Sequence, residues 1–241
     1  LLSDRYKIMT TKGFFILGTD THVGKTAVAV SLLSALKSSG YSTVALKPIA
    51  SGAQATKNGL RNEDAISLQE AATIHLPYEQ VNPFCFAAAT APHIAAAQQA
   101  CELSVTKTLQ ACRPFLHDTV DYRVIEGIGG VLVPLNERET MLDLVQALGF
   151  PIILVVGLRL GCLNHTLLTY ESLKIRNISI AACLCNQIDP DMSFYEENSL
   201  ILNQYIQVPF FTFIPYVKEK IGKLKLNIDW SALIENVAHF A

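Results

Sequence analysis

The sequence has no marked excess of charge of either sign and no apolar stretch long enough to cross a bilayer. Its 241 residues carry 19 lysines and arginines against 21 aspartates and glutamates, a net charge of −2. The electrostatic footprint of a nucleic-acid-binding protein is therefore missing. The mean hydropathy is positive, at +0.30, but a spanning helix needs about 20 apolar residues, and the apolar run at 151–157 is far shorter. The composition predicts neither nucleic acid nor membrane as a partner.

None of the six cysteines is arranged for a zinc site. Cys183 and Cys185 alternate along a strand-like run and so share one face of it, but no second pair lies at zinc-site spacing. Because free cysteine is among the most buried residue types, we expect reduced, buried thiols and a cytoplasmic protein. The six positions are Cys85, Cys101, Cys112, Cys162, Cys183 and Cys185.

The segment from Gly18 to Thr26 indicates a phosphate-binding loop. It follows the apolar run at 14–17 and precedes the helical pattern at 27–33, the strand–turn–helix context that such a loop requires. Backbone N–H groups at the helix start point at an anion, Lys25 reaches the β- and γ-phosphates, and the Thr26 hydroxyl can bind Mg²⁺. Five residues rather than the usual four separate Gly18 from Gly24. The alternative is a turn that contains Gly-Lys-Thr by chance.

Short β-rich apolar runs alternate with helical stretches along the chain. This alternation is typical of a mostly parallel sheet covered by helices on both faces, so we predict a doubly wound α/β fold of the P-loop NTPase kind. No linker divides it, which predicts one domain at 13–241. Residues 1–12 have neither signal-peptide nor transit-peptide character and are expected to be an extension, of which residues 1–8 are non-native if Met9 is the start. The predicted strands are 13–17, 42–47, 122–125, 151–156, 178–185 and 209–213, and the predicted helices are 25–39, 63–72, 92–99, 105–115, 140–148, 162–175, 192–205 and 230–240.

Polar residues follow the strands at the edge where ligands of such sheets bind. Glu126 ends the third strand, where a magnesium carboxylate fits; the alternative is a solvated strand end. Lys47 ends the second strand and directs a cation toward the phosphate loop, or it pairs with a neighbouring strand-end acid. Asp64 is a second candidate carboxylate or a helix cap. Glycines at 127, 129 and 130 allow backbone to approach a ligand closely.

Seven short motifs occur in an order that resembles the dethiobiotin synthetase family. They are Gly-Thr-Asp-Thr-x-Val-Gly-Lys-Thr, Lys-Pro-x-x-Ser-Gly, Leu-Arg-Asn-x-Asp-Ala, Asn-Pro-Phe, Pro-His-Ile, Glu-Gly-x-Gly-Gly and Gly-Cys-x-Asn-His, between about residues 14 and 215. The resemblance implies a biotin-biosynthetic ligase that converts 7,8-diaminononanoate, CO₂ and MgATP into dethiobiotin, ADP and phosphate. A carbamate on one amine would take the γ-phosphoryl group before the second amine closes the ureido ring.

The resemblance also implies roles for individual residues. Lys25 and Lys47 would hold carbamate and phosphoryl oxygens and Thr21 the reacting end, while Thr26, Asp64 and Glu126 would surround Mg²⁺. Ser51 would contact the diamine, and Gly161, Cys162, Leu163 and Asn164 its carboxylate across a homodimer interface. The nucleotide would contact His22, Val23, Gly24, Lys25, Thr26, Ala27, Asp64, Glu126, Gly127, Gly129, Asn186, Gln187, Pro215, Tyr216 and Val217. Two positions depart from the family: His22 stands where glutamate is usual, and Gln187 where aspartate is usual.

Two other interpretations compete with this one. A partition or cell-division ATPase switch has a similar fold but places a signature lysine early in the phosphate loop, where this chain has Thr19 and Asp20. A synthetase coupled to a glutaminase, of the cobyrinate type, would need a further domain for which 241 residues leave no room. The lysine-rich segment at 218–225 aligns with nothing and is expected to be a solvated surface segment.

Overall fold

Six parallel strands form the central sheet. The computed structural model describes residues 12–116, 120–218, 226 and 228–236. In chain order the strands are β1 (Gly13–Gly18), β2 (Thr43–Leu46), β3 (Ile49–Ala50), β4 (Gln54–Thr56), β5 (Gly59–Arg61), β6 (Phe84–Cys85), β7 (Tyr122–Glu126), β8 (Ile152–Leu158), β9 (Ile180–Gln187) and β10 (Phe210–Ile214). The sheet runs in the order β10-β9-β8-β1-β7-β2, with β3–β6 and β4–β5 as separate short pairs. The predicted fold class and all six predicted strands are confirmed.

Helices cover both faces of the sheet. They are α1 (Lys25–Ser38), α2 (Glu63–Ala71), α3 (Tyr78–Val81), α4 (Pro92–Gln98), α5 (Val105–Leu116), α6 (Met141–Leu148), α7 (Cys162–Ile175), α8 (Tyr195–Tyr205) and α9 (Ser231–Glu235). The predicted start of the helix at 192 is wrong: α8 begins at Tyr195, since Phe194 before it has a left-handed backbone (φ 58°). The sequence analysis missed α3 and both short strand pairs.

Successive side chains along β1 pack alternately into two separate hydrophobic cores, one on each face of the sheet. Phe15 and Leu17 pack on one face of the sheet with residues of α4 to α8. Phe14 and Ile16 pack on the other face with residues of α1, α2 and α9. Because both faces are covered, all of β1 is buried, which is why its sequence is a continuous apolar run rather than an alternating one.

Some sequence predictions fall on residues that the structure does not describe. Met9 and the rest of 1–11 lie outside the described residues, as do 219–225 of the lysine-rich segment and 237–240 of the last predicted helix. All six cysteines are free, as predicted. The prediction that they are buried is wrong for Cys85 and Cys101, which are half-buried, because Cys85 lies on a two-residue strand and Cys101 follows the end of α4. In the described part of the chain no helix combines the length and the apolar character that a membrane crossing demands.

Candidate active site

The phosphate loop connects β1 to α1 and holds a backbone shape that requires glycine at its end. Gly24 is the N-cap of α1 with a φ of 99°, a left-handed conformation that glycine adopts without strain. A Cβ atom there would clash with the side-chain amide of Asn186. His22 has a φ of 59°, which is uncommon for a residue other than glycine. The turn leaves the first N–H groups of α1 for an anion.

Lys25 is buried and bridges two segments of the ligand edge. Its Nζ donates to the carbonyl oxygen of Asp20 at 2.6 Å and to that of Gly129 at 3.1 Å. Burial, reinforced by the nearby Lys47 cation, lowers the pKa of Lys25 to about 8. The lysine thus holds the phosphate loop against the segment after β7.

Lys47 and Glu126, both buried, form a charge cluster beside the loop with the half-buried Asp64. Parallel pairing of Leu46 with Ile125 brings the next residues of the two strands, Lys47 and Glu126, side by side. Lys47 Nζ forms an ion pair with Glu126 Oε1, donates to the Gly127 carbonyl oxygen at 3.0 Å and lies 3.4 Å from Asp64 Oδ2. Burial alone would lower the pKa of Lys47, but the two carboxylates outweigh it and raise the pKa. Both carboxylates therefore favour the charged form of Lys47.

The two carboxylate oxygens of Glu126 have different surroundings among the described residues. Its Oε1 accepts from the Thr26 hydroxyl at 3.0 Å as well as from Lys47. Its Oε2 is buried and finds no hydrogen-bond partner among the described residues. Burial raises the pKa of Glu126, although Lys47 opposes the shift. A buried carboxylate oxygen beside a threonine hydroxyl, with Asp64 opposite, matches the oxygen ligands that Mg²⁺ takes.

Among the described residues no group of three or more histidine, cysteine, aspartate or glutamate side chains is placed to hold a metal ion by itself. That agrees with Mg²⁺ chemistry, in which one or two carboxylates are completed by phosphate oxygens and water. Thr26, Asp64 and Glu126 therefore fit a magnesium ion that arrives with a nucleotide.

One cavity of about 670 Å³ brings ten of the 22 predicted site residues together. Predicted residues on its wall are Thr21, His22, Gly24, Lys25, Thr26, Lys47, Ser51, Asp64, Glu126 and Gly129. Its size matches a small-molecule site. Gly127 is not on this wall, and the absence of a side chain there leaves room for the Phe15 ring, from which a Cβ would lie 2.8 Å.

The residues predicted for adenine lie beyond the loop, at the carboxyl ends of β9 and β10. Asn186 Nδ2 donates to the Val23 carbonyl oxygen at 2.9 Å, which fastens the phosphate loop to β9. Gln187 Oε1 accepts from the backbone N–H of Tyr216 at 3.2 Å. Gln187, which stands where the family usually has aspartate, therefore holds the segment Pro215 to Val217 through its side-chain amide. None of these residues is on the wall of the cavity.

The start of α7, Gly161 to Asn164, is likewise not on the cavity wall of its own chain. Gly161 is the N-cap with a φ of 93°, and Cys162 is buried while Asn164 is exposed. Just before it, the Arg159 guanidinium forms an ion pair with Asp20 of the phosphate loop. This helix start is thus tied to the loop without lining the cavity.

A family model and several relatives are similar in sequence to most of the chain. Residues 12–222 match a family described as an AAA domain. The ATP-dependent dethiobiotin synthetase BioD of Cellvibrio japonicus is 46% identical over 207 residues, which cover 86% of this chain and 90% of that protein. BioD of Pseudomonas paraeruginosa is 45% identical over 202 residues, 84% of this chain and 89% of that protein. The chain belongs to the dethiobiotin synthetase family.

Solved structures outside the dethiobiotin synthetase family share its fold. A Borrelia burgdorferi structure described as a plasmid partition protein, bound to AMPPNP, has a TM-score of 0.56 at 14% identity and covers 95% of this chain and 97% of that one. The septum site-determining protein MinD of Pyrococcus horikoshii, with Mg-ADP, has a TM-score of 0.55 at 17% identity, covering 86% and 82%. At such identities the likeness shows the fold alone and does not argue for a switch function.

In this dethiobiotin synthetase family member the sequence analysis missed part of the cavity wall. Gln54, Arg61 and Asn62 come from the β4–β5 hairpin and its end, and residues 89–92 line the cavity as well. The Asn58-Gly59 dipeptide is a hairpin signal, and Gly59 has the left-handed φ of 96° that such a turn uses. The flanking strands are too short and too exposed to show an alternating apolar pattern.

Proposed function

We propose that this chain is an ATP-dependent dethiobiotin synthase of biotin biosynthesis. It closes the ureido ring of dethiobiotin from 7,8-diaminononanoate and CO₂, with ADP and phosphate as the other products. The observation that carries the proposal is the meeting of Lys47, a buried lysine from outside the phosphate loop, with Lys25, Glu126 and Asp64 in one cavity. Membership of the dethiobiotin synthetase family supports the same conclusion.

The two lysines suit a reaction in which negative charge accumulates. An amine of the substrate adds to CO₂ and forms a carbamate; a carbamate oxygen then takes the γ-phosphoryl group and ADP leaves. Phosphoryl transfer is catalysed chiefly by positioning and by cations around the transferring group. Lys25 and Lys47, both buried, supply those cations without bulk water to screen them.

Magnesium would be held by Thr26, Glu126 and Asp64. When bound with the nucleotide it neutralises phosphate charge and orients the transferring group. Glu126 serves both sides of the site, since its Oε1 holds Lys47 and the Thr26 hydroxyl while its Oε2 remains for a further partner. The phosphates of ATP and the Mg²⁺ ion would thus be bound by the same short stretch of strand ends and loop.

Ring closure needs the second amine held against the carbonyl carbon while phosphate leaves. Anchoring the far end of the diamine is the efficient way to do this, because orientation alone contributes large effective molarities. We propose that the start of α7 in a second copy of the chain holds the substrate carboxylate with its free N–H groups. Leu160 and Leu168 on either side of Asn164 are 95% and 61% exposed, which supports the burial of this surface in a homodimer.

Phosphate release from MgATP and bicarbonate, with and without 7,8-diaminononanoate, tests the proposal when dethiobiotin is detected by mass. We expect diamine-dependent phosphate release matched by an equal amount of dethiobiotin. Lys37→Met, at an exposed lysine of α1, is the control for Lys47→Met, which should abolish turnover. Phosphate release indifferent to the diamine would instead indicate a switch ATPase and overturn the proposal.

A further inference from the structure

Lys47 stands beyond the end of an edge strand, where no sheet neighbour fixes its backbone. β2 ends at Leu46 and is the last strand of the sheet. Both polar groups of the Lys47 backbone are bonded by the segment around α3 instead. Its N–H donates to the Val81 carbonyl oxygen at 2.9 Å, and its carbonyl oxygen accepts from Asn82 Nδ2 at 2.6 Å. The position of the lysine therefore depends on Asn82.

Asp64 depends on the same segment from the other side. It lies in the first turn of α2, whose N-cap is Asn62. The Asn62 backbone N–H donates to the Tyr78 hydroxyl at 2.7 Å, and its side chain caps the helix by accepting from Ala65 N at 3.2 Å. The start of α2 is thus bonded to Tyr78 of α3.

The Tyr78 hydroxyl joins these two connections. It accepts from Asn62 N–H and donates to Asn82 Oδ1 at 3.0 Å. Tyr78 is 7% and Asn82 2% exposed, so neither group can turn to water. Burial raises the pKa of Tyr78, which keeps the hydroxyl protonated as a donor. One continuous hydrogen-bonded path therefore runs from the α2 N-cap through Tyr78 and Asn82 to the Lys47 carbonyl.

We infer that Tyr78 and Asn82 are positioning residues that hold Lys47 and Asp64 in register across the cavity. The inference rests on the proposed function, in which both residues serve the transferring phosphoryl group. Lys47 Nζ and Asp64 Oδ2 lie 3.4 Å apart, although they come from an edge strand and a separate helix. Asn82 belongs to the Asn-Pro-Phe motif, to which the reaction itself gives no role. Neither residue is on the wall of the cavity, so they act through Lys47 and Asp64.

Tyr78→Phe removes one oxygen and tests this path. The ring and its contact with Arg61, whose guanidinium carbon lies 4.1 Å from the ring centroid, remain. We expect kcat to fall by about 10- to 100-fold, since a misplacement of about 1 Å costs on that order. The KM for ATP should stay within about threefold, because the phosphate-loop N–H groups and the residues predicted for adenine are untouched.

Tyr122→Phe is the matched control. Tyr122 is also buried, and its hydroxyl also bonds a backbone group, since it donates to the Ile234 carbonyl oxygen at 3.2 Å. It begins β7, about 13 Å of strand away from Glu126 at the other end. We expect both variants to lower the melting temperature and only Tyr78→Phe to lower kcat. A kcat of Tyr78→Phe within threefold of wild type, or an equal loss in both variants, would overturn the inference.

A second variant and an activity-independent measurement complete the experiment. Asn82→Ser shortens the side chain that holds the Lys47 carbonyl; combined with Tyr78→Phe it should lose less than the product of the single losses, because both act on one path. If Tyr78→Phe does not fold, Asn82→Ser is judged by the same criteria. Amide hydrogen exchange should accelerate at Lys47 and Asn62 in Tyr78→Phe and not in Tyr122→Phe. If the wild-type protein makes no dethiobiotin, the proposed function fails, and unchanged exchange at Lys47 overturns the positioning role separately.

Discussion

Lys47→Met should destabilise the protein as well as inactivate it, and the two effects should separate. Lys47 is 3% and Glu126 0% exposed, so removal of the ammonium leaves a buried carboxylate without its main counter-ion. Breaking such a pair typically costs about 3–5 kcal/mol. Lys25 also attracts Glu126, and the Thr26 hydroxyl still donates to it. We therefore expect the lower end, about 3 kcal/mol, a large part of a typical folding free energy of about 5–15 kcal/mol.

Glu126→Gln in the same chain should restore much of that stability without restoring activity. The double variant buries no net charge at this point, and neutral replacements of buried ion pairs are often close to neutral in stability. We expect Lys47→Met/Glu126→Gln to unfold within about 1–2 kcal/mol of wild type. It should nevertheless form no dethiobiotin, because the cation and the carboxylate of the site are both lost.

Urea unfolding followed by circular dichroism measures the stability of each variant, and dethiobiotin formation measures activity. Equal unfolding free energies for the single and the double variant would refute the reasoning, since Glu126 would then not depend on Lys47. Dethiobiotin formation by Lys47→Met at a near-normal rate would refute the catalytic assignment, whatever the stability.

Three further predictions concern the loop, a helix cap and the metal. Gly24→Ala should destabilise by about 1–2 kcal/mol and weaken ATP binding at least tenfold, by calorimetry, since its φ of 99° and the Asn186 amide leave no room for a Cβ. Asp143→Asn should lower the unfolding free energy at pH 7 by about 0.5–1 kcal/mol. Although partial burial would raise the pKa of Asp143, hydrogen bonds from Thr140 hold that pKa below its ordinary value. The stabilisation that Asp143 contributes is therefore present above about pH 4 and is lost as the pH falls through the lowered pKa, which urea unfolding at pH 7 and pH 2.5 will measure. EDTA should abolish diamine-dependent phosphate release and leave the melting temperature of the nucleotide-free protein unchanged, because Lys47 already holds Glu126.

The sheet and the ligand edge could be predicted because each leaves a local pattern. A buried parallel strand such as β1 is a short continuous apolar run, and the residue that ends it falls at the ligand edge whatever the strand order. Lys47, Glu126 and the phosphate loop were therefore placed on one edge from the sequence alone. Their contact needs the pairing of Leu46 with Ile125, which joins residues far apart in the chain and leaves no local trace.

The residues that position the site could not be predicted, because their contacts also join segments that are separate in the sequence. Tyr78 and Asn82 lie on a four-residue helix and the residue after it, too short to show helical periodicity. Their importance comes from partners such as Asn62 and Lys47, which only the folded chain brings near. In the sequence alone, single polar residues of a short connecting segment cannot be told from those of a surface loop.

The place of β1 in the sheet has a consequence for how the chain is made. Its two neighbours are both distant in sequence: Gly13 pairs with Arg123, and Phe15 with Ile152. At about 5–20 residues per second, the ribosome delivers those partners roughly 5 to 30 s after the first strand. During that interval the apolar strand β1 has no partner on either edge, and unpaired apolar strands of this kind are prone to aggregate and are bound by chaperones. A sheet built around its earliest strand therefore ties the yield of folded protein to the speed of translation and to the chaperones available at the ribosome exit.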